Sequence, residues 1–183
     1  MQMEKRWQFA PFEEGLTSAL TEQLHISPIL AQILANRGIA DVEEGRHFLQ
    51  DTLNDMADPF LMDGMETAVR RLKQAVEDKE RIVIYGDYDV DGITSTSLVY
   101  SVLRDLGASP QFYIPERQSE GYGLNEEALQ HLEHEADVLI TVDCGISSYE
   151  LVREFSPHLD IIITDHHEPP EKIPPALAVL NPK

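Results

Sequence analysis

The chain has 183 residues, of which 42% are hydrophobic and 26% are charged. This length and balance fit one globular domain with a smaller appendage, and they exclude a disordered or fibrous protein. The formal net charge of −19 argues against nucleic acid as a partner, because phosphate binding draws on an excess of Lys and Arg, unless bound cations or a basic surface outside this chain offset it.

The pattern of apolar residues and cysteine indicates where the protein resides. Residues 1–12 lack the apolar core of a signal peptide, and no later run approaches the roughly 18 apolar residues needed to span a bilayer. The one cysteine, Cys144, cannot form an internal disulfide, so nothing indicates an oxidising compartment or a cysteine zinc cluster. We therefore expect a soluble, cytoplasmic protein with no membrane contact.

Short helices are predicted for the first 64 residues. Ser27 is placed to cap a helix whose first position is Pro28, and Asp41 followed by Glu44 resembles a capping box. A further helix is predicted over residues 65–78. We interpret residues 1–64 as a small helical N-terminal region and residues 65–183 as the main domain.

After residue 81 the hydrophobic pattern changes to short, β-branched runs, which are typical of strands buried on both faces of a parallel sheet. Helical patterns lie between these runs. This alternation predicts a doubly wound α/β domain with a mainly parallel sheet and helices on both faces. The predicted strands are 82–85, 111–114, 138–142, 161–164 and 178–180, and the predicted helices are 94–106, 125–133 and 147–155.

Ionisable residues directly follow three of the predicted strands. Because the carboxyl ends of parallel strands share one edge of a sheet, side chains distant in sequence should converge there. Five carboxylates and two imidazoles would repel one another unless a cation lay among them. The residues are Asp87, Asp89 and Asp91 after the first strand, Asp143 after the third, and Asp165, His166 and His167 after the fourth.

Oxygen-rich ligands with one or two imidazoles suit Mn²⁺ or Mg²⁺ better than structural zinc, which favours sulfur and nitrogen. The predicted chemistry is two-metal hydrolysis of a phosphoester, in which paired ions activate water and hold a phosphoryl oxygen. This chemistry needs no covalent nucleophile.

Two simpler interpretations remain for these motifs. The run from Asp87 matches the opening of an EF-hand loop, but its twelfth position is Leu98 rather than glutamate, and a strand precedes it. The Asp-His-His triplet at residue 165 by itself is compatible with a solvated turn. Three acidic strand ends in one series favour the metal site.

These motifs resemble those of the DHH phosphoesterase superfamily, whose signature is the triplet at residues 165–167. A narrower resemblance, to RecJ-type exonucleases that act on single-stranded DNA, covers most of the chain. It depends on the segments Tyr-Gly-Asp-Tyr-Asp-Val-Asp-Gly at 85–92, Ile-Pro at 114–115, Gly-Tyr-Gly-Leu at 121–124, Val-Asp-Cys-Gly-Ile at 142–146 and Leu-Asn-Pro-Lys at 180–183.

The resemblance implies a role for each matching residue. His167 would contact the scissile phosphate, and Asp165 would orient the histidines. Asp143 would bridge two ions, either Mn²⁺ or Mg²⁺. The implied metal ligands are Asp87, Asp89, Asp91, Asp143 and His166.

A loop punctuated by glycine supplies the candidates for DNA contact. Arg117, Tyr122 and Gly123 would meet the DNA backbone or stack on a base, although an Arg and a Tyr in a loop are commonly ordinary surface groups. Family members carry a further aspartate motif and additional domains downstream, and no fourth motif is found here. We therefore expect the chain to be the amino-terminal portion of a longer protein, with weak activity by itself.

The leading hypothesis is a 5′-to-3′ exonuclease on single-stranded DNA in repair and recombination. Its implied partners are single-stranded DNA, a helicase and single-strand-binding protein, and the enzyme is expected to be a monomer. One alternative is a DHH hydrolase of short oligonucleotides or cyclic dinucleotides. Another is a non-catalytic nucleic-acid-binding relative, which the presence of every ligand type in the first three motifs argues against.

Overall fold

The computed structural model describes residues 8, 10–50, 52, 55–116, 121 and 123–183. Contacts divide the chain into two compact units, Met1–Ala57 and Asp58–Lys183. The predicted boundary after residue 64, between the helical N-terminal region and the main domain, stays a prediction. Within the described ranges, no helix is both long enough and apolar enough to cross a membrane.

The first unit is helical, as its sequence predicts. The Ser27 hydroxyl accepts a hydrogen bond from the N–H of Leu30 (3.2 Å), and the Asp41 carboxylate accepts one from the N–H of Glu44 (2.9 Å). Both predicted caps are therefore present. The helices are α1 (Glu14–Leu24), α2 (Pro28–Asn36) and α3 (Val42–Gln50), and they enclose a small core of Leu20, Ala31 and Leu34.

The second unit contains a five-stranded parallel sheet with the strand order β2-β1-β3-β4-β5. A short 3₁₀ turn (Pro59–Leu61) precedes the first helix of this unit. The predicted α/β fold with a parallel sheet is confirmed. In chain order the elements are α4 (Met65–Glu77), β1 (Ile82–Tyr85), α5 (Val90–Asp105), β2 (Gln111–Tyr113), α6 (Glu126–Glu135), β3 (Val138–Val142), α7 (Tyr149–Phe155), β4 (Asp160–Thr164) and β5 (Ala178–Leu180).

Helices cover both faces of this sheet, because alternate strand residues point to opposite sides. Ile82 and Ile84 pack on one face with residues of α4 and α5, whereas Val83 and Tyr85 pack on the other with residues of α6 and α7. All four residues of β1 are buried, as are the five of β3. The continuous apolar runs in the sequence therefore reflect burial on both faces.

Helix α5 begins at Val90, four residues before its predicted start. The Asp89 carboxylate accepts hydrogen bonds from the N–H groups of Asp91 (2.9 Å) and Gly92 (3.0 Å), which caps the helix inside the acidic motif. The first turn of α5 also lies directly against the end of β1. A Cβ atom on Gly92 would stand 2.4 Å from the carbonyl oxygen of Asp87, so only glycine fits there.

This close approach generates a stability prediction. Gly92→Ala should lower the free energy of unfolding of the second unit by about 1–3 kcal/mol, because the added methyl overlaps backbone atoms that have no room to move. The control is Gly15→Ala in α1, where a Cβ meets nothing within 4 Å. That change should leave stability unaltered or raise it by up to about 1 kcal/mol. Urea unfolding followed by circular dichroism measures both, and equal effects would contradict the packing argument.

Candidate metal centre

The acidic residues lie where the strand order of the sheet reverses. From β1 the chain crosses to β2 on one side and then returns to β3 on the other, so the loops after β1 and β3 separate and leave a crevice at their carboxyl ends. Asp87 and Asp89 follow β1, and Asp143 follows β3. Asp165 and His166 follow the next strand, β4. The topology of the sheet therefore brings these strand ends together, as the sequence predicts.

Two groups of possible ligand atoms form in this crevice, and Asp143 belongs to both. In the first group, oxygens of Asp87, Asp89 and Asp143 lie within 4.8 Å of one another. In the second, atoms of Asp143, His166 and His167 meet the same distance limit. A carboxylate has two oxygens, so one side chain is able to serve both groups.

Asp143 is held in a conformation and an environment that are costly for a carboxylate. Its backbone is left-handed, with φ of +63°, and only 7% of the residue is exposed. Burial, and next the negative charge of Asp89, raise the pKa of Asp143 above its ordinary value. The Nε2 atom of His166 lies 3.0 Å from one Asp143 oxygen and opposes that rise when it is protonated.

Asp89 and Asp87 approach Asp143 from the loop after β1. The N–H of Gly92 and that of Asp91 donate to Asp89, and these bonds lower the pKa of its carboxyl. Asp87 is 2% exposed, and one of its oxygens accepts a hydrogen bond from the N–H of Tyr88 (2.7 Å). The loop therefore holds both carboxylates in fixed positions through backbone donors.

Asp165 is buried, but its surroundings differ from those of Asp143. It accepts hydrogen bonds from the N–H of Ile146 (2.9 Å) and the N–H of His167 (3.0 Å), and the Nδ1 atom of His167 lies 2.8 Å from the same carboxylate. Burial acts to raise the pKa of Asp165, but these hydrogen bonds together hold it below its ordinary value. The contact at Nδ1 orients the imidazole ring.

Asp91 occupies a different position from the other aspartates. Of the residues that the structure describes, neither ligand group includes Asp91, which stands in the first turn of α5. It instead lines a cavity of about 510 Å³ that also borders Asp143, Asp165 and His166. This cavity extends from the ligand groups toward α5 and the end of β5.

The cavity adds residues that the sequence patterns do not single out. Thr94 and Ser95 present hydroxyl groups on α5, and Met62, Met65 and Pro182 contribute apolar surface. In the sequence, Thr94 and Ser95 fall within a helical pattern with no spacing that distinguishes them from surface residues. A helix start at Val90 would have indicated that they lie one turn from the acidic motif.

The candidates for DNA contact are only partly described. Arg117 and Tyr122 lie outside the described residues. Gly123 has a positive φ of +82°, and its carbonyl oxygen accepts a hydrogen bond from the hydroxyl of the buried Tyr85 (3.0 Å). This hydrogen bond links Gly123 to Tyr85, the last residue of β1, which lies two positions before Asp87.

The chemistry of the donor set fits a divalent cation that prefers oxygen. The two groups together supply three carboxylates and two imidazoles, and no described cysteine takes part in them. Cys144 is buried, and that burial raises the pKa of its thiol, so it does not supply a thiolate. The EF-hand interpretation is excluded by the structure, because α5 begins at Val90, inside the loop that an EF-hand would need.

Comparison with known proteins identifies the domain. Residues 81–183 match the model of the DHH family, N-terminal domain, which covers every strand of the sheet and both ligand groups. The chain belongs to the DHH family. The predicted resemblance to RecJ-type exonucleases is also confirmed. The single-stranded-DNA-specific exonuclease RecJ of Bacillus subtilis is 44% identical over 182 residues, which is 97% of this chain and 23% of that protein.

Solved structures of RecJ share the DHH fold seen here. A crystal structure of exonuclease RecJ bound to manganese matches with a TM-score of 0.65 and 36% identity over 69% of this chain and 33% of that one. RecJ from Thermus thermophilus in complex with Mn²⁺ matches with a TM-score of 0.69 and 27% identity over 95% of this chain and 24% of that one. The chain therefore spans about a quarter to a third of the length of these relatives.

The contrast between the two buried carboxylates of the DHH domain yields a prediction about pH. In metal-free protein, Asp143→Asn should raise the free energy of unfolding at pH 7, because the raised pKa of Asp143 makes its ionised form unfavourable. Asp165→Asn should lower it, because the lowered pKa of Asp165 means that its ionised form contributes stability. The Asp143→Asn difference should shrink as the pH falls from the raised folded-state pKa toward about 4, the ordinary carboxyl value, whereas the Asp165→Asn difference should persist down to about 4 and shrink only below it.

The measurement is urea unfolding of EDTA-treated protein between about pH 2 and pH 7. Asparagine also tolerates the left-handed backbone of Asp143, so the first substitution adds no strain of its own. Destabilisation by both substitutions at pH 7 would contradict the electrostatic account.

Proposed function

We propose that this chain is the DHH module of a metal-dependent phosphodiesterase that degrades single-stranded DNA from its 5′ end. The observation that carries the proposal is the membership of Asp143 in both ligand groups, because a shared carboxylate is what a pair of neighbouring cations requires. The activity of the named RecJ relatives supports the choice of single-stranded DNA as substrate.

In this proposal each charged group has a defined task. Asp143 would be a ligand common to two divalent cations, Mn²⁺ or Mg²⁺. The other carboxylates and His166 would supply the remaining ligands, with Asp91 contributing from the cavity wall. The proposed ligands are Asp87, Asp89, Asp91, Asp143 and His166.

The bound cations would supply an activated water and stabilise negative charge on the phosphoryl oxygens. The residues of the chain hold and orient the reacting groups. Asp165 fixes the ring of His167 through Nδ1, so that Nε2 faces the phosphate and stabilises the charge that develops on it. The first turn of α5 keeps Asp89 in place through the N–H groups of Asp91 and Gly92.

The charge of −19 opposes the binding of phosphates, so we propose that bound cations and surfaces outside this chain help to hold the DNA. The curated RecJ relatives are about three to four times as long as this chain, and we propose that a longer protein would carry the basic surface elsewhere. Within the chain, we propose that Arg117, Tyr122 and Gly123 contact the strand near the crevice. The functional DHH domain is proposed to begin at about residue 65, after the helical N-terminal region.

The biological setting is also part of the proposal. We propose that the full-length enzyme acts as a monomer in the cytoplasm, in DNA repair and recombination. A helicase would supply unwound strands, and single-strand-binding protein would occupy the same substrate. These assignments follow from the RecJ resemblance.

The central test is Asp143→Ala in the full-length protein. We expect loss of more than about 100-fold in the rate of DNA cleavage with Mn²⁺, because removing groups that only support metal ligands already costs about 10–100-fold. Circular dichroism should show an intact fold. Asp137→Asn is the control, since Asp137 precedes β3 at the opposite end of the strand from Asp143 and should leave cleavage unchanged.

The substrate and polarity are tested in one assay series. A long single strand labelled at its 5′ or 3′ end is compared with duplex DNA and with a dinucleotide. Release of short products from the 5′-labelled end first, with little action on duplex, is expected. Preference for the dinucleotide would replace the exonuclease proposal with the small-substrate alternative, and wild-type turnover by Asp143→Ala would refute the metal assignment.

A further inference from the structure

The turn after β3 holds Asp143 in a left-handed conformation, which aspartate tolerates better than most residues but which still needs support from its surroundings. Its φ of +63° is left-handed, a region that residues other than glycine sparsely populate unless the surroundings enforce it. Gly145, two residues later, also has a positive φ, of +109°. Interactions around this turn must therefore hold it.

One side-chain hydroxyl spans the turn. The Oγ1 atom of Thr141 donates a hydrogen bond to the carbonyl oxygen of Cys144 at 2.7 Å, so the bond joins residues on either side of Asp143. Thr141 and Cys144 are both fully buried, with 0% exposure. Water does not replace this bond in the folded protein, so loss of the hydroxyl would leave a buried carbonyl without its donor.

The neighbouring strand fixes the other side of the turn. The N–H of Asp143 donates to the carbonyl oxygen of Thr164 (3.0 Å), and the Thr164 hydroxyl donates to the carbonyl oxygen of Thr141 (2.8 Å). A Cβ atom on Gly145 would stand 3.0 Å from the Thr141 hydroxyl, so glycine provides the space that this hydroxyl occupies. The turn is thus enclosed between β4 and the Thr141 side chain.

We propose that Thr141 is a positioning residue for the metal centre, whose buried hydroxyl keeps Asp143 left-handed and its carboxylate directed into both ligand groups. The inference rests on the proposed function, because it needs Asp143 to bind cations. Since Asp143 belongs to both groups, a change in its backbone disturbs both ion positions at once. Thr141 itself touches neither a cation nor the substrate.

The test compares Thr141→Val with Thr141→Ser in the full-length protein. Valine keeps the branched shape that suits a strand and removes only the donor, whereas serine keeps the donor and removes a methyl. With Thr141→Val, we expect Mn²⁺ affinity measured by titration calorimetry to fall by about 10–100-fold, the range for losing a group that supports a metal ligand. Thr141→Ser should bind Mn²⁺ within about threefold of wild type.

Steady-state kinetics on single-stranded DNA supply a second readout. The kcat of Thr141→Val should fall by about the same factor as its metal affinity at limiting Mn²⁺, while KM for DNA stays near the wild-type value, because the hydroxyl makes no contact with DNA. Thr21→Val is the matched control. The Thr21 hydroxyl, like that of Thr141, donates to a backbone carbonyl oxygen, here that of Thr17 in α1 (2.8 Å). The Mn²⁺ affinity and the kinetics of Thr21→Val should both match those of the wild type.

Unfolding in EDTA separates this role from a general structural one. If Thr141→Val only loses stability and binds Mn²⁺ like wild type, the positioning role is wrong. If Thr141→Val does not fold, Thr141→Ala replaces it, and equal Mn²⁺ affinity of the Ala and Ser variants overturns the proposal. If wild type and Asp143→Ala bind Mn²⁺ equally and neither cleaves DNA, the proposed function fails instead.

Discussion

Mutual repulsion among buried carboxylates is the constraint on which the rest of this structure depends. Oxygens of Asp87, Asp89 and Asp143 lie within 4.8 Å of one another, and two of these residues are almost completely buried. Such an arrangement is unfavourable in a metal-free protein, as the raised pKa of Asp143 indicates. The fold maintains it through backbone N–H groups that donate to Asp87 and Asp89 and through His166, whose Nε2 atom lies 3.0 Å from Asp143.

The structure places two buried carboxylates of the crevice in opposite environments. Hydrogen bonds from Ile146 and His167 hold the pKa of Asp165 below its ordinary value despite its burial. Burial and the neighbouring Asp89 instead raise the pKa of Asp143. A carboxylate whose ionised form is stabilised by hydrogen bonds is suited to orient a histidine, and one whose ionised form is disfavoured by burial and a neighbouring carboxylate is suited to attract a cation. Residues of the same type thus acquire different tasks from the donors that surround them.

Close backbone packing gives the crevice its fixed shape. Gly92 allows the first turn of α5 to rest on the end of β1, and Gly145 leaves room for the hydroxyl of Thr141 under the turn after β3. Each contact restrains one side of the crevice, and Asp89 and Asp143 lie within three residues of these glycines. The packing of the backbone therefore sets the positions of the carboxylates in the two ligand groups.

The sequence by itself determined the class of fold and the membership of the crevice. Burial on both faces selects continuous β-branched runs such as Ile82–Tyr85, and acidic residues placed directly after such runs must meet at one sheet edge. Glycines beside the acidic residues and the Asp-His-His triplet were readable as local motifs. The helix caps at Ser27 and Asp41 were also predictable, because a cap involves neighbours only three residues apart.

Only the tertiary structure decided how these residues differ from one another. The sequence groups Asp91 with Asp87 and Asp89, yet the early start of α5 turns Asp91 toward the cavity with Thr94 and Ser95. The contrast between Asp143 and Asp165, and the bond from Thr141 across the turn, depend on donors contributed by segments up to 23 residues apart in the chain. Periodicity and spacing describe neighbours along the chain, whereas pKa shifts and left-handed turns are set by neighbours in space.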